Sequence, residues 1–364
     1  MRRVSIWRGP PRRIGMLHLL ACLTLLGALA TLLHPRFAGG RLAARSRLGH
    51  YTLGEKIGEG GMGVVYRAEH MGWKRPVAIK LLSPRRTNGS DIERFEREAQ
   101  LTRSLQHPST VAVYDVGRTR DGLPYYAMEL VDGIDLQTLV ERQGPLEPRR
   151  AARVLMQLSA ALGELHAAGL IHRDVKPANV MLCESAGSSE AIKVLDFGLS
   201  LRVDGSVAAA PLLMGTPLYL PPEVITSPEC LDPLSDIYSL GALGYFLLTG
   251  SPPFVGESLF ELCGHHLHSS AVPPSQRLGR PIPARLEALI AGCLAKQPAQ
   301  RPSSAALQAA LLQLAGSTAF DDTSESTIPP QPAQEARATA AWPRRIAASA
   351  SRHREAAPIA PLAA

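Results

Sequence analysis

The sequence predicts an α+β fold with two lobes: a small antiparallel β lobe that carries one helix, and a larger lobe that is mainly helical. Two observations support this prediction. Over residues 51–131, short runs that alternate apolar and polar residues are separated by turn residues, which is typical of strands. Over residues 132–315, longer segments with helical spacing predominate. We expect a ligand cleft between the two lobes.

The β lobe contains five strand-like runs and one helical run. The strands are predicted at residues 51–60, 62–70, 75–82, 111–119 and 123–131. Between the third and fourth strands, residues 90–105 place Ile92, Phe95 and Ala99 near one face of a helix. In the larger lobe, helices are predicted at residues 148–169, 235–250 and 284–296.

Both ends of the chain differ from this globular part. Residues 1–50 are basic and contain an apolar run, 14–33, of 20 residues without Asp, Glu, Lys or Arg, which is long enough to span a bilayer. The same region is also compatible with a signal peptide, since "ALA" stands at 28–30, or with a start codon assigned too far upstream. Arginines flank the run on both sides, so the positive-inside rule gives no orientation. Residues 316–364 are rich in Ala, Pro and Arg without periodicity and are predicted to be disordered.

Charge and cysteine content exclude several classes of protein. The net charge is +7, but the arginines concentrate in the two ends of the chain, so we expect no nucleic-acid partner. The 5 cysteines are widely spaced without a CxxC pair, which argues against a zinc site or a disulfide framework and favours a reducing compartment. Cys183 and Cys293 fall in apolar runs, where we expect small core residues.

A glycine-rich turn links the first two predicted strands. Residues 58–63 read "GEGGMG", a GxGxxG pattern that dinucleotide-binding folds also use between a strand and a helix. Here residues 64–66 continue as a strand, so the turn belongs to a hairpin. Because glycines let backbone amides approach a ligand closely, such a hairpin can cover phosphate oxygens. A plain glycine-rich hairpin is the alternative.

A lysine and a glutamate can extend this phosphate site. Lys80 ends the apolar strand "VAIK", and Glu98 follows on the predicted helix. An ion pair between them would hold the ammonium group against the α- and β-phosphates of a nucleotide. A strand-end lysine in solvent is the alternative.

Two later motifs supply an acid, a cation, an amide and a second acid. In "HRDVKPANVML", Asp174 can accept a proton from a hydroxyl, and Lys176 can neutralise a phosphoryl group during transfer. Asn179 in the same motif and Asp196 in "KVLDFGLS" can bind Mg²⁺, which prefers oxygen ligands. Phosphoryl transfer needs mainly positioning and charge neutralisation, which these residues supply.

In kind, order and spacing, these motifs resemble those of the protein kinases, specifically the bacterial Hanks-type serine/threonine kinases. The resemblance covers about residues 51–312 and rests on "GEGGMGVV", "VAIK", "FEREA", "HRDVKPAN", "DFG" and "PPE". It implies a bilobal kinase fold that uses ATP and Mg²⁺ and phosphorylates Ser or Thr hydroxyls of protein substrates, in bacterial signalling, with self-phosphorylation as a further reaction. It also implies a domain that faces the cytoplasm, anchored to the inner membrane if residues 14–33 span it.

The resemblance assigns a role to each residue of the site. The catalytic residues it implies are Lys80, Glu98, Asp174 and Lys176, and the metal ligands are Asn179 and Asp196. The implied ATP-binding residues are those of the glycine-rich turn, the adenine pocket and the connection between the lobes: Ile57, Gly58, Glu59, Gly60, Gly61, Met62, Gly63, Val65, Ala78, Lys80, Met128, Glu129, Val131 and Met181. In this set Met128 resembles the gatekeeper residue that closes the back of the adenine pocket.

Two further matches have structural roles in the family. Glu223 in "PPE" resembles the acid that pairs with an arginine near the end of the fold, a place that Arg301 occupies. Asp236 resembles the helix aspartate that braces the backbone of the catalytic loop.

The segment that follows "DFG" departs from the family pattern. Arg173, the residue before the catalytic aspartate, usually awaits a phosphate on this segment. Residues 207–214, "VAAAPLLM", contain no hydroxyl group. The remaining candidates are Ser200, Ser206 and Thr216, and Thr216 resembles the threonine that contacts the catalytic loop. We therefore expect weak or absent switching by phosphorylation here, with Ser206 the best acceptor.

Two other functions compete with protein phosphorylation. A nucleotide-binding scaffold without turnover would normally lack one of the charged residues above, and here the set is complete. Small-molecule kinases of the aminoglycoside phosphotransferase type usually lack the lysine two residues after the base and the long segment between "DFG" and "PPE". Both features are present in this chain.

Overall fold

The computed structural model describes residues 46–60, 62–84, 86, 88–184, 190–196, 201–202, 217–227 and 231–315. Several predictions fall outside the described residues. They are those that concern the apolar run 14–33, Gly61, Ser200, Ser206, Thr216 and the C-terminal residues 316–364.

A six-stranded antiparallel sheet forms the small lobe, in the order β1-β2-β3-β4-β6-β5. Its strands are β1 (Arg47–Leu48), β2 (Tyr51–Glu59), β3 (Gly63–His70), β4 (Pro76–Leu82), β5 (Val113–Arg118) and β6 (Pro124–Glu129). The last five lie where the sequence predicts strands. β1 was not predicted, and its pairing with β2 means that the sheet begins before the expected domain boundary at residue 51.

One helix, α1 (Gly89–Ser104), packs on this sheet, as predicted. The side chain of Asn88 caps its N-terminus by accepting a backbone N–H of the first turn, which fixes where the helix begins. Phe95 and Ala99 are fully buried and pack with residues of β4, β5 and β6. This packing places Glu98, between them in sequence, against the sheet.

The large lobe is mainly helical, which confirms the predicted fold class. Its helices are α2 (Leu136–Gln143), α3 (Pro148–Ala167), α4 (Pro222–Thr226), α5 (Pro233–Thr249), α6 (Leu259–His268), α7 (Pro274–Leu278), α8 (Ala284–Cys293) and α9 (Ser304–Ala315). The three predicted helices correspond to α3, α5 and α8. Every residue of α5 from Ser235 on is buried, because α3, α8 and neighbouring segments surround this helix.

Short strands in the large lobe were not predicted. β7 (Ile134–Asp135), β9 (Val180–Glu184) and β10 (Glu190–Val194) form a three-stranded sheet. β8 (Leu170–Ile171) pairs with β11 (Leu201–Arg202). Three of these strands have only 2 residues, too few to show an alternating pattern.

A predicted ion pair and two cysteines predicted to be core residues lie within the described residues. Arg301 binds Glu223 through two parallel hydrogen bonds of 2.6 and 2.8 Å, which confirms the predicted pair. Cys293 is fully buried, as expected, whereas Cys183 is only half-buried, so its assignment to the core was wrong in degree. Within the described residues, no helix has both the length and the apolar character needed to cross a membrane.

Candidate active site

Lys80 has two carboxylate partners in the cleft. It lies in β4 opposite Val65 of β3 and Tyr126 of β6, and it is 7% exposed. Its Nζ lies 2.6 Å from Glu98 Oε1 and 2.8 Å from Asp196 Oδ1. The structure therefore joins a strand, a helix and the "DFG" motif through one ammonium group.

The residues around Lys80 stabilise its protonated, charged form. Burial lowers the pKa of this ammonium, but Tyr126 and the carboxylates of Glu98 and Asp196 outweigh burial and raise the pKa well above its ordinary value. Tyr126 also donates its hydroxyl to Glu98 Oε1 at 2.7 Å. Sequence analysis missed this tyrosine, because nothing in its local sequence indicates a partner 28 residues away.

The loop after β8 gathers three of the predicted residues. Lys176 Nζ lies 2.9 and 2.7 Å from the two carboxylate oxygens of Asp174. The amide nitrogen of Asn179 donates to the carbonyl oxygen of Asp174 and to its Oδ2, each at 2.9 Å. Pro177 begins a short 3₁₀ helix, Pro177–Asn179, that turns the chain and brings Asn179 back within hydrogen-bond distance of Asp174.

A hairpin brings Asn179 and Asp196 to the same place. Val180 at the start of β9 pairs with Val194 at the end of β10, so the residues on either side of the pair are neighbours. Leu195 N–H donates to the carbonyl oxygen of Asn179 at 2.8 Å. The side chain of Asp196 is 43% exposed, whereas that of its partner Lys80 is 8% exposed. The Asp196 side chain is therefore the more accessible partner of this ion pair.

A buried aspartate braces the backbone of this loop. Asp236, on α5, accepts the N–H groups of His172 and Arg173, each at 2.8 Å, which confirms the predicted brace. His166 Nε2 lies 2.8 Å from the same carboxylate. Burial raises the pKa of Asp236, but other interactions outweigh burial and bring this pKa below its ordinary value. The largest of them are the hydrogen bond with His166 and the charge of His166. Sequence analysis missed His166, whose partner is 70 residues away.

Two residues of the site have left-handed backbone conformations. Arg173 has φ 67° and Asp196 has φ 54°. For residues with a Cβ such angles cost free energy, and surrounding contacts must hold them. The hydrogen bond from Arg173 N–H to Asp236 is one such contact.

The glycine-rich turn closes a hairpin between β2 and β3. Gly60 N–H donates to the carbonyl oxygen of Gly63 at 2.9 Å, and Met62 accepts a hydrogen bond from Ser83 N–H at 3.0 Å. A Cβ added at Gly63 would collide with the carbonyl oxygen of Leu81, so packing within the protein requires that glycine. A Cβ added at Gly60 would meet no atom of the described residues within 4 Å, so packing among those residues does not require this glycine.

The other predicted ATP-binding residues lie in β2, β3, β4, β6 and β9, except Val131, which follows β6. Ala78 faces Met128 across the β4–β6 pair, and Ala78 is buried. Ile57 is 47% exposed, and the residues of intermediate exposure are Val65, Met128, Glu129, Val131 and Met181.

The connection between the lobes, residues 129–131 (the hinge), is tied to both of them. Glu129 N–H donates to the carbonyl oxygen of Ala112 at 2.8 Å. The Glu129 side chain pairs with Lys193 of β10 at 2.8 Å. An adenine contact from Glu129 would therefore use its carbonyl oxygen rather than its N–H.

The two-lobed fold and the charged cleft define a protein of the kinase-like class, and comparison with known proteins agrees. Residues 51–312 match the family model described as protein kinase domain. The serine/threonine-protein kinase PknB of Mycolicibacterium smegmatis is 42% identical over 263 residues, which cover 70% of this chain and 41% of that protein. The serine/threonine-protein kinase pkn3 of Myxococcus xanthus is 39% identical over 274 residues, 72% of this chain and 49% of that protein.

The chain therefore belongs to the protein kinase family, within the bacterial Hanks-type serine/threonine kinases. It spans less than half the length of these relatives.

Proposed function

We propose that this protein is an ATP-dependent serine/threonine protein kinase that transfers the γ-phosphoryl group of ATP to Ser or Thr hydroxyls of protein substrates in bacterial signalling. One observation supports the proposal above the others: Lys80 bridges Glu98 and Asp196 in the cleft that also holds Asp174. The Asn179 side chain donates to Asp174, and the Asn179 carbonyl oxygen accepts the N–H of Leu195, the residue before Asp196. Hydrogen bonds therefore connect the proposed base to both proposed metal ligands.

Each charged residue has a task in this proposal. Lys80 positions the α- and β-phosphates, and Glu98 holds its ammonium group in place. Asp174 accepts the proton of the attacking hydroxyl, and Lys176, already 2.7 Å from Asp174, neutralises charge on the phosphoryl group. Asp236 fixes the loop that carries both residues through its bonds to the backbone.

The glycine-rich turn and the hinge complete the proposed nucleotide site. Backbone amides of residues 58–63 cover the phosphates, and the openness around Gly60 leaves room for close approach. Ile57, Val65, Ala78 and Met181 sandwich the adenine, and residues 129–131 meet its polar edge. Gly61 shares the role of the turn in this proposal.

The residues present also fit a magnesium ion. The amide nitrogen of Asn179 donates to Asp174, so its amide oxygen points away from Asp174. The Asp196 side chain is 43% exposed. Two hard oxygen donors together with phosphates and waters suit Mg²⁺. When bound, the ion would neutralise charge on the nucleotide phosphates.

The experiment that tests this function uses the full chain, labelled ATP and a generic basic protein. We expect Asp174→Asn to lower phosphate transfer at least about 100-fold, because it removes the proton acceptor, while ATP binding persists. Asp121→Asn, at an exposed turn between β5 and β6, is the matched control and should keep full activity. Nucleotide binding without transfer by the unaltered protein would instead identify a scaffold that only binds nucleotide.

Two finer features belong to the same proposal. Residues 14–33 anchor the chain in the inner membrane with the kinase domain facing the cytoplasm, where ATP is available. The enzyme also phosphorylates itself to a limited extent, with Ser206 the expected acceptor. Fractionation of cells that express the chain with and without residues 1–45 tests the anchor, and phosphopeptide mapping tests the acceptor.

A further inference from the structure

Helix α5 holds two backbone segments of the large lobe side by side. Asp236 accepts two backbone N–H groups of the loop that carries Asp174. Three residues further along α5, the hydroxyl of Ser239 donates to the carbonyl oxygen of Tyr219 at 2.8 Å. Because residues three apart on a helix are neighbours, residues 217–220 lie beside the loop of the proposed base. An acceptor hydroxyl must reach that base in the proposed function, so we call residues 217–220 the acceptor segment.

Helix α6 packs against residues 217–219 and carries a fully buried histidine, His266. The Nδ1 atom of His266 lies 2.9 Å from the hydroxyl of Tyr238 on α5. The ring of Phe254 packs edge-on against the imidazole, with 5.1 Å between the ring centroids. The Nζ atom of Lys296 donates to the carbonyl oxygen of His266 at 2.7 Å. These contacts fix both the ring and the backbone of His266.

The second nitrogen of this ring is a buried polar atom that lacks a partner among the described residues. It is Nε2 of His266. When the Tyr238 hydroxyl donates to Nδ1, the single proton of the neutral ring resides on Nε2. An N–H group that stays unbonded inside a protein costs free energy, because it has lost its bonds to water. The Nε2–H group is therefore a donor that a nearby acceptor would satisfy.

A backbone carbonyl of the acceptor segment is such an acceptor. Burial lowers the pKa of His266 most, the charge of Lys296 lowers this pKa further, and the backbone of Pro217 raises it. Proline has no N–H, so the group of Pro217 that favours the protonated ring is its carbonyl oxygen. This oxygen accepts a long hydrogen bond of 3.4 Å from Leu220 N–H, and a carbonyl oxygen can accept a second bond. A small shift of the acceptor segment would therefore complete a bond to His266.

We propose that His266 is a positioning residue for the protein substrate. Its Nε2–H group binds the carbonyl oxygen of Pro217 when an acceptor peptide occupies the acceptor segment, and this bond holds the segment beside Asp174. The inference rests on the proposed kinase function and adds a residue that acts on substrate binding through Pro217. The contacts of His266 described above involve no residue proposed to bind ATP, so the effect should concern the protein substrate alone.

Two variants of the full chain that carry the same amide at different reach test this role. His266→Asn places its amide near the position of Nδ1, and His266→Gln places it near the position of Nε2. Phosphate transfer from ATP to myelin basic protein is measured for each. We expect His266→Asn to raise the KM for the protein substrate at least about fivefold, because the bond to Pro217 is lost. His266→Gln, whose amide can donate to the same carbonyl, should stay within about twofold of the unaltered protein.

The matched control is His268→Asn, at an exposed position of the same helix, which should leave every constant unchanged. The kcat and the KM for ATP should also stay unchanged in both His266 variants. A merely structural role would lower stability against urea in both variants and leave their KM values for the protein substrate equal, which would overturn the inference. Unaltered protein that binds ATP but transfers no phosphate would overturn the proposed function and this inference with it.

A spectroscopic measurement on the unaltered protein covers the case in which a variant does not fold. In protein with isotope-labelled histidine, the NMR signal of the His266 Nε2 proton should move downfield when myelin basic protein is added, because the proton enters a hydrogen bond. A signal that does not move while the substrate binds would overturn the proposal. A shift of the His268 signal in place of the His266 signal would overturn it as well.

Discussion

At the scale of single residues, the ammonium group of Lys80 pairs with two carboxylates that differ in burial, those of Glu98 and Asp196. Glu98 is almost fully buried and receives hydrogen bonds from both Lys80 and Tyr126, so it has little freedom to move. The side chain of Asp196 is 43% exposed, so in the proposed function this carboxylate is the one that would take contacts to a metal and phosphates. This asymmetry suits a lysine whose role is to position a ligand, because one carboxylate holds the lysine while the other is able to adjust.

A buried histidine in the large lobe should make stability depend on pH. His266 is fully buried next to Tyr238, and burial together with the charge of Lys296 lowers the pKa of His266 to about 4. The unfolded chain therefore binds a proton near pH 6.5 that the folded protein accepts only near pH 4, and stability falls as pH drops through this window. At pH 5 we expect a loss of about 2 kcal/mol from this group.

Urea unfolding at neutral pH and at pH 5 measures this effect. In His266→Gln the group that takes up the proton is gone, so the difference between the two pH values should shrink by the amount expected for His266. Equal acid sensitivity in the variant and the original protein would contradict the assignment. Asp236, whose pKa lies below its ordinary value, loses its contribution only at still lower pH and does not interfere.

At the scale of elements, the loop between α1 and β5 belongs mechanically to the large lobe. Glu164 of α3 accepts the N–H of Gln106 at 3.0 Å with one carboxylate oxygen and the N–H of His107 at 2.9 Å with the other. Val194 of β10 exchanges backbone hydrogen bonds with the same loop. The segment that follows the C-terminal end of α1 is therefore bound to the large lobe, while the apolar side of α1 packs on the small-lobe sheet.

Removing this tie should loosen the loop and, through α1, the position of Glu98. We expect Glu164→Ala to destabilise the protein by about 1–3 kcal/mol, because two backbone N–H groups lose a charged acceptor. Faster hydrogen exchange at Gln106 and His107 would locate the effect. Glu164→Gln, which keeps one carbonyl acceptor, should fall between the two proteins. Unchanged exchange in Glu164→Ala would show that the loop is held by other contacts.

The same element shows what the sequence could and could not predict. The strands of the small lobe and helix α5 were predictable, because alternation and a long apolar run are local patterns. The site residues could be named because their motifs resemble those of the protein kinases. Three positioning residues could not be predicted: Glu164, Tyr126 and His166. Each contacts a residue 28 to 70 positions away, and no local sequence pattern indicates such a pair. Strand β1 could not be predicted either, because its 2 residues form a strand only by pairing with β2.

At the scale of the whole molecule, the two lobes are joined by contacts that do not involve the segment after "DFG". The Glu129–Lys193 pair ties the hinge to β10, and the Glu164 contacts tie the α1–β5 loop to α3. The inward position of Glu98 comes from the burial of Phe95 and Ala99 against the sheet. We infer that these contacts, all among the described residues, align the two lobes in the way that a phosphate on this segment commonly does in kinases.

Activity should therefore depend little on phosphate in the segment 197–216. Residues 207–214 offer no hydroxyl for modification, and apolar packing against the small-lobe sheet sets the position of α1. We expect phosphatase-treated enzyme, and a Ser200→Ala and Ser206→Ala double variant, to keep at least about half of the initial rate of phosphate transfer to a generic protein. Phosphopeptide mapping establishes that the treatment removed the phosphate. A large loss of rate that returns on re-phosphorylation would mean that Arg173 needs a phosphate partner after all, and that the interlobe contacts described here are insufficient to align the cleft.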